Sequence, residues 1–261
     1  MKTFILHIKT VLVLLSISCS SGEKLPTASG KFNLGVDETM KDAMQEILRV
    51  YYALYPDVNV NLIYLPETEI VNRFAKNELE IIVVSNVPDS LELLNFYTNK
   101  ISVEHYPIAK EKIVFEVNRN TKTDEIKNIF INSINSSFLY FLDDSIKQKY
   151  VSVKENDAII ASLKNCLQCA TIKGSATTIT KGRFTNYIKP HTKFNIPEYR
   201  IWYAVNGEPN IGPGSGFVAF LRGVRGQKIL SKCNLIPAIP PDILVNLKNT
   251  DLFFAPEKIE Q

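Results

Sequence analysis

The amino-acid sequence predicts an α/β protein whose strands and helices alternate around a largely parallel sheet. Three observations lead to this prediction. Patterns typical of strand, helix, strand, helix and strand follow one another from Lys31 to Val84. The last of them, Ile81-Ile82-Val83-Val84, is continuously β-branched, as in a strand that is buried on both faces. A further apolar run, from Ile201 to Val205, stands before a glycine-rich turn and a helical pattern.

The composition is that of a globular protein. The chain has 261 residues, of which 45% are hydrophobic and 22% are charged, enough for one large or two modest domains. The net charge of +3 is small, and the basic residues are distributed among acidic ones rather than gathered in a stripe. These features argue against nucleic acid as a partner.

The N-terminal segment has the pattern of an export signal followed by a lipid anchor. Two lysines precede the apolar run 11–15, which is too short to span a bilayer, and small residues then lead to Cys19. This pattern resembles a bacterial lipobox, although a serine stands three residues before the cysteine, where leucine is usual. It predicts a signal peptide over 1–18, lipidation of Cys19 and a flexible tether over 19–29, on the periplasmic side of the cell envelope. The alternative is an ordinary cleaved signal with an incidental cysteine.

The elements of the N-terminal half are predicted from hydrophobic periodicity. Strand patterns alternate with helix patterns, and glycine, proline or polar residues separate them. In chain order the predicted elements are a strand Lys31–Val36, a helix Met40–Tyr55, a strand Val58–Leu65, a helix Glu67–Lys76 and a strand Ile81–Val84. This order predicts a doubly wound α/β arrangement.

Polar residues follow the first and third predicted strands. Asp37, Glu38 and Thr39 follow the first strand, and Ser85 and Asn86 follow the third. In an open parallel sheet the ligand site lies beyond the carboxyl ends of the strands, where loops lead into helix N-termini. These five residues are therefore candidate ligand-binding residues. The alternative is that Thr39 and Ser85 only cap helices, because capping needs the same residue types at the same places.

The C-terminal part is predicted to contain a strand, a loop and two helices. The segment Asn206–Gly214 has three glycines and two prolines, so it is predicted to be a loop. Ser215 is predicted to cap a helix whose apolar residues recur at three- and four-residue spacing. A second helix is predicted over 226–232.

The segment 205–230, VNGEPNIGPGSGFVAFLRGVRGQKIL, resembles the C-terminal segment of the phosphate-type periplasmic solute-binding proteins, as does Leu235-Ile236-Pro237-Ala238. The resemblance implies the two-lobed type II periplasmic-binding-protein fold, with a discontinuous first domain and a reduced second domain. It places the first domain at 30–106 and 199–261, and the second at 107–198.

The resemblance extends to the middle of the chain. His105–Asn118 resembles the family's crossover strand, and Thr123–Asn132 resembles the helix that follows it. Asn135–Tyr140 aligns with the start of the family's ligand-binding helix, which adds four candidate ligand-binding residues: Ser136, Ser137, Phe138 and Tyr140. The family carries a threonine or serine and an anion-pairing arginine where this chain has Phe138 and Tyr140. That departure predicts weak phosphate binding, because a buried anion loses its charged partner.

The motif Cys166-Leu167-Gln168-Cys169 is predicted to be structural. It follows a helical pattern, whereas redox-active CxxC motifs open a helix, and the sequence has no second CxxC or histidine pair to complete a zinc site. A local disulfide and a pair of buried thiols are both open alternatives, and Cys233 is predicted to be unpaired. The three histidines are scattered, and the sequence has no G-x-S-x-G, Walker or H-E-x-x-H motif. We therefore expect no catalysis, metal or cofactor.

Two functions fit these observations. The first, implied by the resemblance, is a solute-binding lipoprotein that captures a small phosphate-like anion between its lobes and presents it to an ABC permease. The second is an envelope interaction protein that keeps the fold and has lost phosphate binding, with its cleft filled by Phe138 and Tyr140. The expected partners are a small anion, a permease or envelope complex, and the membrane through the lipid anchor.

Overall fold

The computed structural model describes residues 26–86, 90–132, 136–177 and 185–239, and these residues form an α/β fold. The strands are β1 (Gly30–Asp37), β2 (Val58–Leu65), β3 (Ile81–Val84), β4 (Glu104–Asn118), β5 (Asn128–Ile131), β6 (Val151–Val153), β7 (Cys169–Gly174), β8 (Thr185–Ile188), β9 (Tyr199–Asn206) and β10 (Ile236–Pro237). The α-helices are α1 (Lys41–Leu54), α2 (Glu67–Ala75), α3 (Ser90–Thr98), α4 (Asp144–Tyr150), α5 (Asn156–Asn165), α6 (Pro213–Arg222) and α7 (Val224–Lys232). Short 3-10 helices include Glu38–Met40, Ser136–Phe141 and Ser175–Thr177.

The membrane anchor predicted at Cys19 and the signal peptide before it lie outside the described residues. Within the described ranges, no helix combines the length and the apolar character that a membrane span requires.

The first lobe is built on a sheet with strand order β2-β1-β3-β9-β4. β1 runs parallel to β2 and β3, with α1 and α2 as the crossover helices that carry the chain back. β9 lies between β3 and β4 and is antiparallel to both. The predicted boundaries of β2 and β3 are confirmed. All four residues of β3 are buried, as its β-branched run predicts.

The C-terminal segment shares a core with the N-terminal half. Trp202 on β9 and Phe217 on α6 are buried in one cluster with Phe32 of β1 and Met44 of α1. Together with the pairing of β3 and β9, this cluster explains why the apolar run of β9 is needed to complete the first sheet. The predicted domain boundaries, at 106/107 and 198/199, stay a prediction.

The strand β4 belongs to both lobes. Its first part pairs with β9 as far as Lys112, and from Ile113 onward it pairs with β7 of a second sheet. That second sheet has the order β4-β7-β5-β6, with β8 also paired to β4. A separate apolar cluster, which includes Phe115, Ile129 and Phe138, forms the core of the second lobe. Residues near position 112 therefore lie where the two sheets join.

The helix predicted over Thr123–Asn132 is wrong. The chain forms a 3-10 turn at Thr123–Glu125 and then the strand β5. Ile129 and Ile131 point into the main core of the second lobe, whereas Phe130 packs in a different cluster. Apolar residues that alternate between two buried faces fit a strand between β6 and β7 better than one face of a helix.

Two further predictions concern the cap of α6 and the state of the cysteines. The predicted N-cap at Ser215 is wrong, because α6 begins at Pro213 after Gly212, with proline at a first-turn position that needs no N–H donor. Of the two alternatives for the CxxC motif, the local disulfide is confirmed, since Cys166 and Cys169 are bonded. Cys233 is a free, buried thiol, as predicted.

Candidate functional site

The candidate residues after β1 form a turn at the carboxyl end of that strand. Asp37 is the last residue of β1, and Glu38 and Thr39 begin the 3-10 helix that leads into α1. Oδ1 of Asp37 accepts the backbone N–H of Thr39 at 2.8 Å and its hydroxyl at 2.6 Å. The capping role left open for Thr39 is thus played by Asp37, whose carboxylate occupies the positive end of this turn.

The candidate residues after β3 are held by Glu67, the first residue of α2. Oε2 of Glu67 accepts the backbone N–H of Ser85 at 3.0 Å and its hydroxyl at 2.7 Å. Oε1 of the same carboxylate accepts the backbone N–H and the side-chain amide of Asn86 at 3.0 and 2.9 Å. Glu67 and Ser85 are both buried. The groups that were expected to donate hydrogen bonds to an anion therefore already donate to the carboxylate of Glu67, which the sequence patterns did not single out.

The candidate residues of the second lobe lie on the 3-10 helix Ser136–Phe141. Ser137 and Phe138 are buried, and Phe138 belongs to the core of that lobe. The side chains of Ser136 and Tyr140 are outside the described part of the structure. These residues, which the resemblance places at the start of a ligand-binding helix, thus lie on a 3-10 helix.

An arginine and a glutamate that the sequence analysis missed stand at the centre of this group. Arg200 on β9 and Glu111 on β4 are directly opposite each other in the antiparallel pair. Nε of Arg200 donates to Oε2 of Glu111 at 2.7 Å, and neither side chain has exposed surface. Oε2 also accepts the indole N–H of Trp202 at 2.8 Å, and Oε1 accepts the backbone N–H of Ala176 at 2.9 Å.

The guanidinium of Arg200 also connects the two lobes. Nη2 donates to the hydroxyl of Thr39 in the first lobe at 2.8 Å, and Nη1 donates to the hydroxyl of Ser137 in the second at 3.3 Å. Its Cζ atom lies over the ring of Phe138, 4.0 Å from the ring centre, and over the ring of Trp202, 4.3 Å from the ring centre. A cation over an aromatic face is favoured by the π electrons of the ring. The structure thus brings Asp37, Thr39, Ser137 and Phe138 together around Arg200.

One sequence signal could have identified this pair. Arg200 alternates with Trp202 and Ala204, so a strand places all three on one face, and that face is buried. Glu111 alternates with Ala109 and Ile113 in the same way. A charged residue on the buried face of each of two strands indicates an ion pair, because an unpaired buried charge is too costly. The register that sets them opposite each other is not visible in the pattern.

Charge in the site is dominated by carboxylates. Asp37, Glu67 and Glu111 are buried, and Arg200 is the only buried cationic side chain among the described residues. Burial raises the pKa of Asp37, and the nearby Arg200 and the bonds from Thr39 only partly offset this effect. Burial likewise raises the pKa of Glu67, and burial together with the charge of Asp37 raises the pKa of half-buried Glu38. Oδ2 of Asp37 is buried and, among the described residues, has no hydrogen-bond partner. The arrangement therefore suits a hydrogen-bond donor better than a further anion.

The raised pKa of Asp37 predicts how stability depends on pH. A carboxyl whose pKa is higher in the folded than in the unfolded chain binds its proton more readily when folded. Its charge therefore destabilises the folded chain at neutral pH, and this effect fades as the pH falls toward 3.8, the ordinary pKa of an aspartic acid side chain. Asp37→Asn keeps the acceptor for Thr39 and removes the charge. We expect the variant to be more stable than the wild type at pH 7, with a difference that shrinks toward pH 4. Urea unfolding across this range measures it, and the exposed Asp42→Asn is the control. A variant that is less stable at pH 7 would show that the charge is stabilising.

Metal ligation has no support within the described ranges, where no group of three or more His, Cys, Asp or Glu side chains is arranged to hold an ion.

Comparison with known proteins gives similarity in structure only. No protein-family model matches the sequence, and no curated protein matches it. A putative phosphate ABC transporter substrate-binding protein from Clostridium perfringens, with bound phosphate, has a TM-score of 0.60 at 13% identity over 80% of this chain and 100% of that chain. A possible phosphate binding protein from Planctomyces limnophilus has a TM-score of 0.55 at 12% identity, over 85% of this chain and 97% of that chain.

Regulatory domains have a similar fold. The CcmR regulatory domain of Synechocystis, in complex with 2-PG, has a TM-score of 0.57 at 18% identity over 74% of this chain and 96% of that chain. At such identities the likeness concerns the fold, which proteins of different function share. The chain therefore has the two-lobed type II periplasmic-binding-protein fold, as its C-terminal segment predicts.

Proposed function

We propose that this chain is a solute-binding protein of the cell envelope, anchored through Cys19 on the periplasmic side, with its solute site at the junction of the two lobes. The observation that carries the proposal is the convergence of Thr39 from one lobe and Ser137 from the other on Arg200. Polar side chains that converge between two lobes, at the carboxyl ends of parallel strands, are typical of solute sites in open α/β sheets. The similar structures that are described as phosphate-binding support a transport role with a permease partner.

The solute we propose carries less negative charge than the phosphate dianion. Arg200 is already neutralised by Glu111, and the hydroxyls of Thr39 and Ser85 donate to carboxylates. A dianion in this place would face Asp37 and Glu67, and among the described residues no buried cation other than Arg200 would balance its charge. The free Oδ2 of Asp37 favours a ligand that donates a hydrogen bond.

Phosphate is therefore expected to bind more weakly than about 1 mM, which corresponds to a binding free energy above roughly −4 kcal/mol. Isothermal titration calorimetry of the mature chain with phosphate, at pH 7 and fixed ionic strength, measures this directly. Sulfate serves as the matched oxyanion, and a panel of neutral and cationic solutes searches for the preferred class. Micromolar phosphate binding by the wild-type chain would contradict the proposal.

A second candidate function is an envelope interaction protein, and one surface feature favours it. Four large apolar side chains of α3 are exposed, with 75% of Leu91, 41% of Leu93, 60% of Leu94 and 80% of Tyr97 accessible to solvent. The opposite side of this helix is fixed by Phe96, which packs edge-on against Phe74 of α2. Exposed apolar side chains gathered on one helix are typical of a surface that another protein covers. Cross-linking in the native envelope separates the candidates: a permease partner supports transport, and a structural envelope complex supports the second.

A further inference from the structure

The carboxylate of Glu111 lies in a receptor made of three donors. They are the guanidinium of Arg200 and the indole N–H of Trp202, both on Oε2, and the backbone N–H of Ala176 on Oε1. All three donor–acceptor distances lie between 2.7 and 2.9 Å. A guanidinium combined with neutral N–H groups is also a donor set suited to a free carboxylate ligand. Glu111 is therefore bound by its surroundings in the manner of a ligand.

A glycine makes room for this carboxylate. Gly174, the last residue of β7, lies directly behind Glu111, and a Cβ at that position would overlap the carboxylate carbon and both of its oxygens. The backbone of β7 thus comes as close to the carboxylate as a side-chain-free residue allows. The receptor therefore fits the carboxylate of Glu111 in shape as well as in charge.

The receptor is attached to both lobes. Arg200 is bonded to Thr39 in the first lobe and to Ser137 in the second, and it lies against Phe138 in the core of the second lobe. Glu111 lies on β4, one residue before Lys112, where the pairing with β9 of the first sheet ends, and two residues before Ile113, where the pairing with β7 of the second sheet begins. In a two-lobed protein whose solute lies between the lobes, a bound solute would make the same kind of connection.

We propose that Glu111 is a ligand built into the chain: its carboxylate occupies a carboxylate receptor at the lobe junction and holds the two lobes together when no external solute is present. The proposal rests on the proposed function in taking this junction as the solute site. Because Glu111 is tethered, its effective concentration at the receptor is high, and a free anion has to compete with it. The two lobes are therefore closed in the absence of solute, and Glu111 excludes external oxyanions from the receptor.

Removing the built-in ligand provides the test. Glu111→Ala deletes a CH2–COO− unit, which is acetate less one hydrogen. In chloride buffer the variant is expected to have a lower melting temperature and a larger radius of gyration than the wild type. Acetate at about 100 mM is expected to restore at least half of both changes in a saturable manner, because a ligand that binds only the folded state stabilises it. Chloride at the same ionic strength is expected to restore neither.

A second glutamate of β4 supplies the matched control. Glu116 is bonded to Lys173 at 2.7 Å, but this pair is partly exposed. Glu116→Ala and the wild type are expected to show no specific response to acetate. If Glu111→Ala does not fold in chloride, its refolding yield in acetate is compared with that in chloride, and recovery only in acetate supports the proposal. An absence of rescue by acetate and by formate overturns it.

The outcomes also separate this inference from the proposed function. Failure of rescue by both acetate and formate, with phosphate binding by the wild-type chain still weak, overturns the built-in ligand alone. Micromolar phosphate binding by the wild-type chain overturns the proposed solute class, whatever acetate does to Glu111→Ala.

Discussion

Replacing Arg200 with methionine is expected to lower the free energy of unfolding by about 3 to 5 kcal/mol, the usual cost of removing one partner of a buried ion pair. Methionine keeps an unbranched apolar side chain at this position but loses the guanidinium that lies over the rings of Phe138 and Trp202. Glu111 is left charged and buried with two neutral N–H donors. Urea unfolding followed by tryptophan fluorescence measures the effect, because the sequence has one tryptophan and it contacts Arg200.

An exposed ion pair of the first lobe is the control for this variant. Arg73 is bonded to Glu69 at 3.0 Å on the surface of α2, with both side chains well exposed. Arg73→Met is expected to cost less than about 1 kcal/mol, because solvent screens such pairs. Equal effects of the two variants would contradict the assignment of Arg200 to the buried centre of the site.

Gly174→Ala is expected to destabilise the protein by about 3 kcal/mol, at the upper end of what overpacking costs. The new methyl group would overlap the carboxylate of Glu111, which cannot move aside without giving up its bonds to Arg200, Trp202 and Ala176. The free energy of unfolding from urea titration reports the loss, and acetate should not restore it, because the receptor is still filled.

The matched glycine is Gly223, between α6 and α7. It has an ordinary backbone angle, with φ at −74°, and an added Cβ would meet two carbonyl oxygens at 3.3 and 3.4 Å. Gly223→Ala is expected to change stability by no more than about 1 kcal/mol, in either direction. A Gly174→Ala variant as stable as this control would show that Glu111 is not held in place.

The sequence was most informative about the first lobe, for physical reasons that are visible in its strands. β2 alternates and β3 is β-branched throughout, and each pattern has one structural interpretation in a parallel sheet. The second lobe was harder, because Ile129-Phe130-Ile131 is too short for its period to separate a strand from a helix. Only the pairing with β6 and β7 decides that segment.

The sequence predicted where the candidate site lies in the sheet, but it predicted only part of the chemistry of that site. Strand order puts Asp37 and Ser85 at the same edge of the sheet, and that follows from the sequence. Whether a hydroxyl there is free or occupied depends on tertiary contacts, such as the bonds from Ser85 to Glu67, that no local pattern encodes. Arg200 and Glu111 are 89 positions apart, and their contact requires the register of β4 against β9.

Small-angle X-ray scattering of the wild-type mature chain, with and without phosphate at about 10 mM, tests most directly whether the chain itself fills the junction of its lobes. A protein whose junction is bound by Glu111 and Arg200 is already closed, so the radius of gyration is expected to be the same in both samples. A decrease in the radius of gyration on adding phosphate would contradict the account, because it would mean that the lobes are open until an external anion joins them.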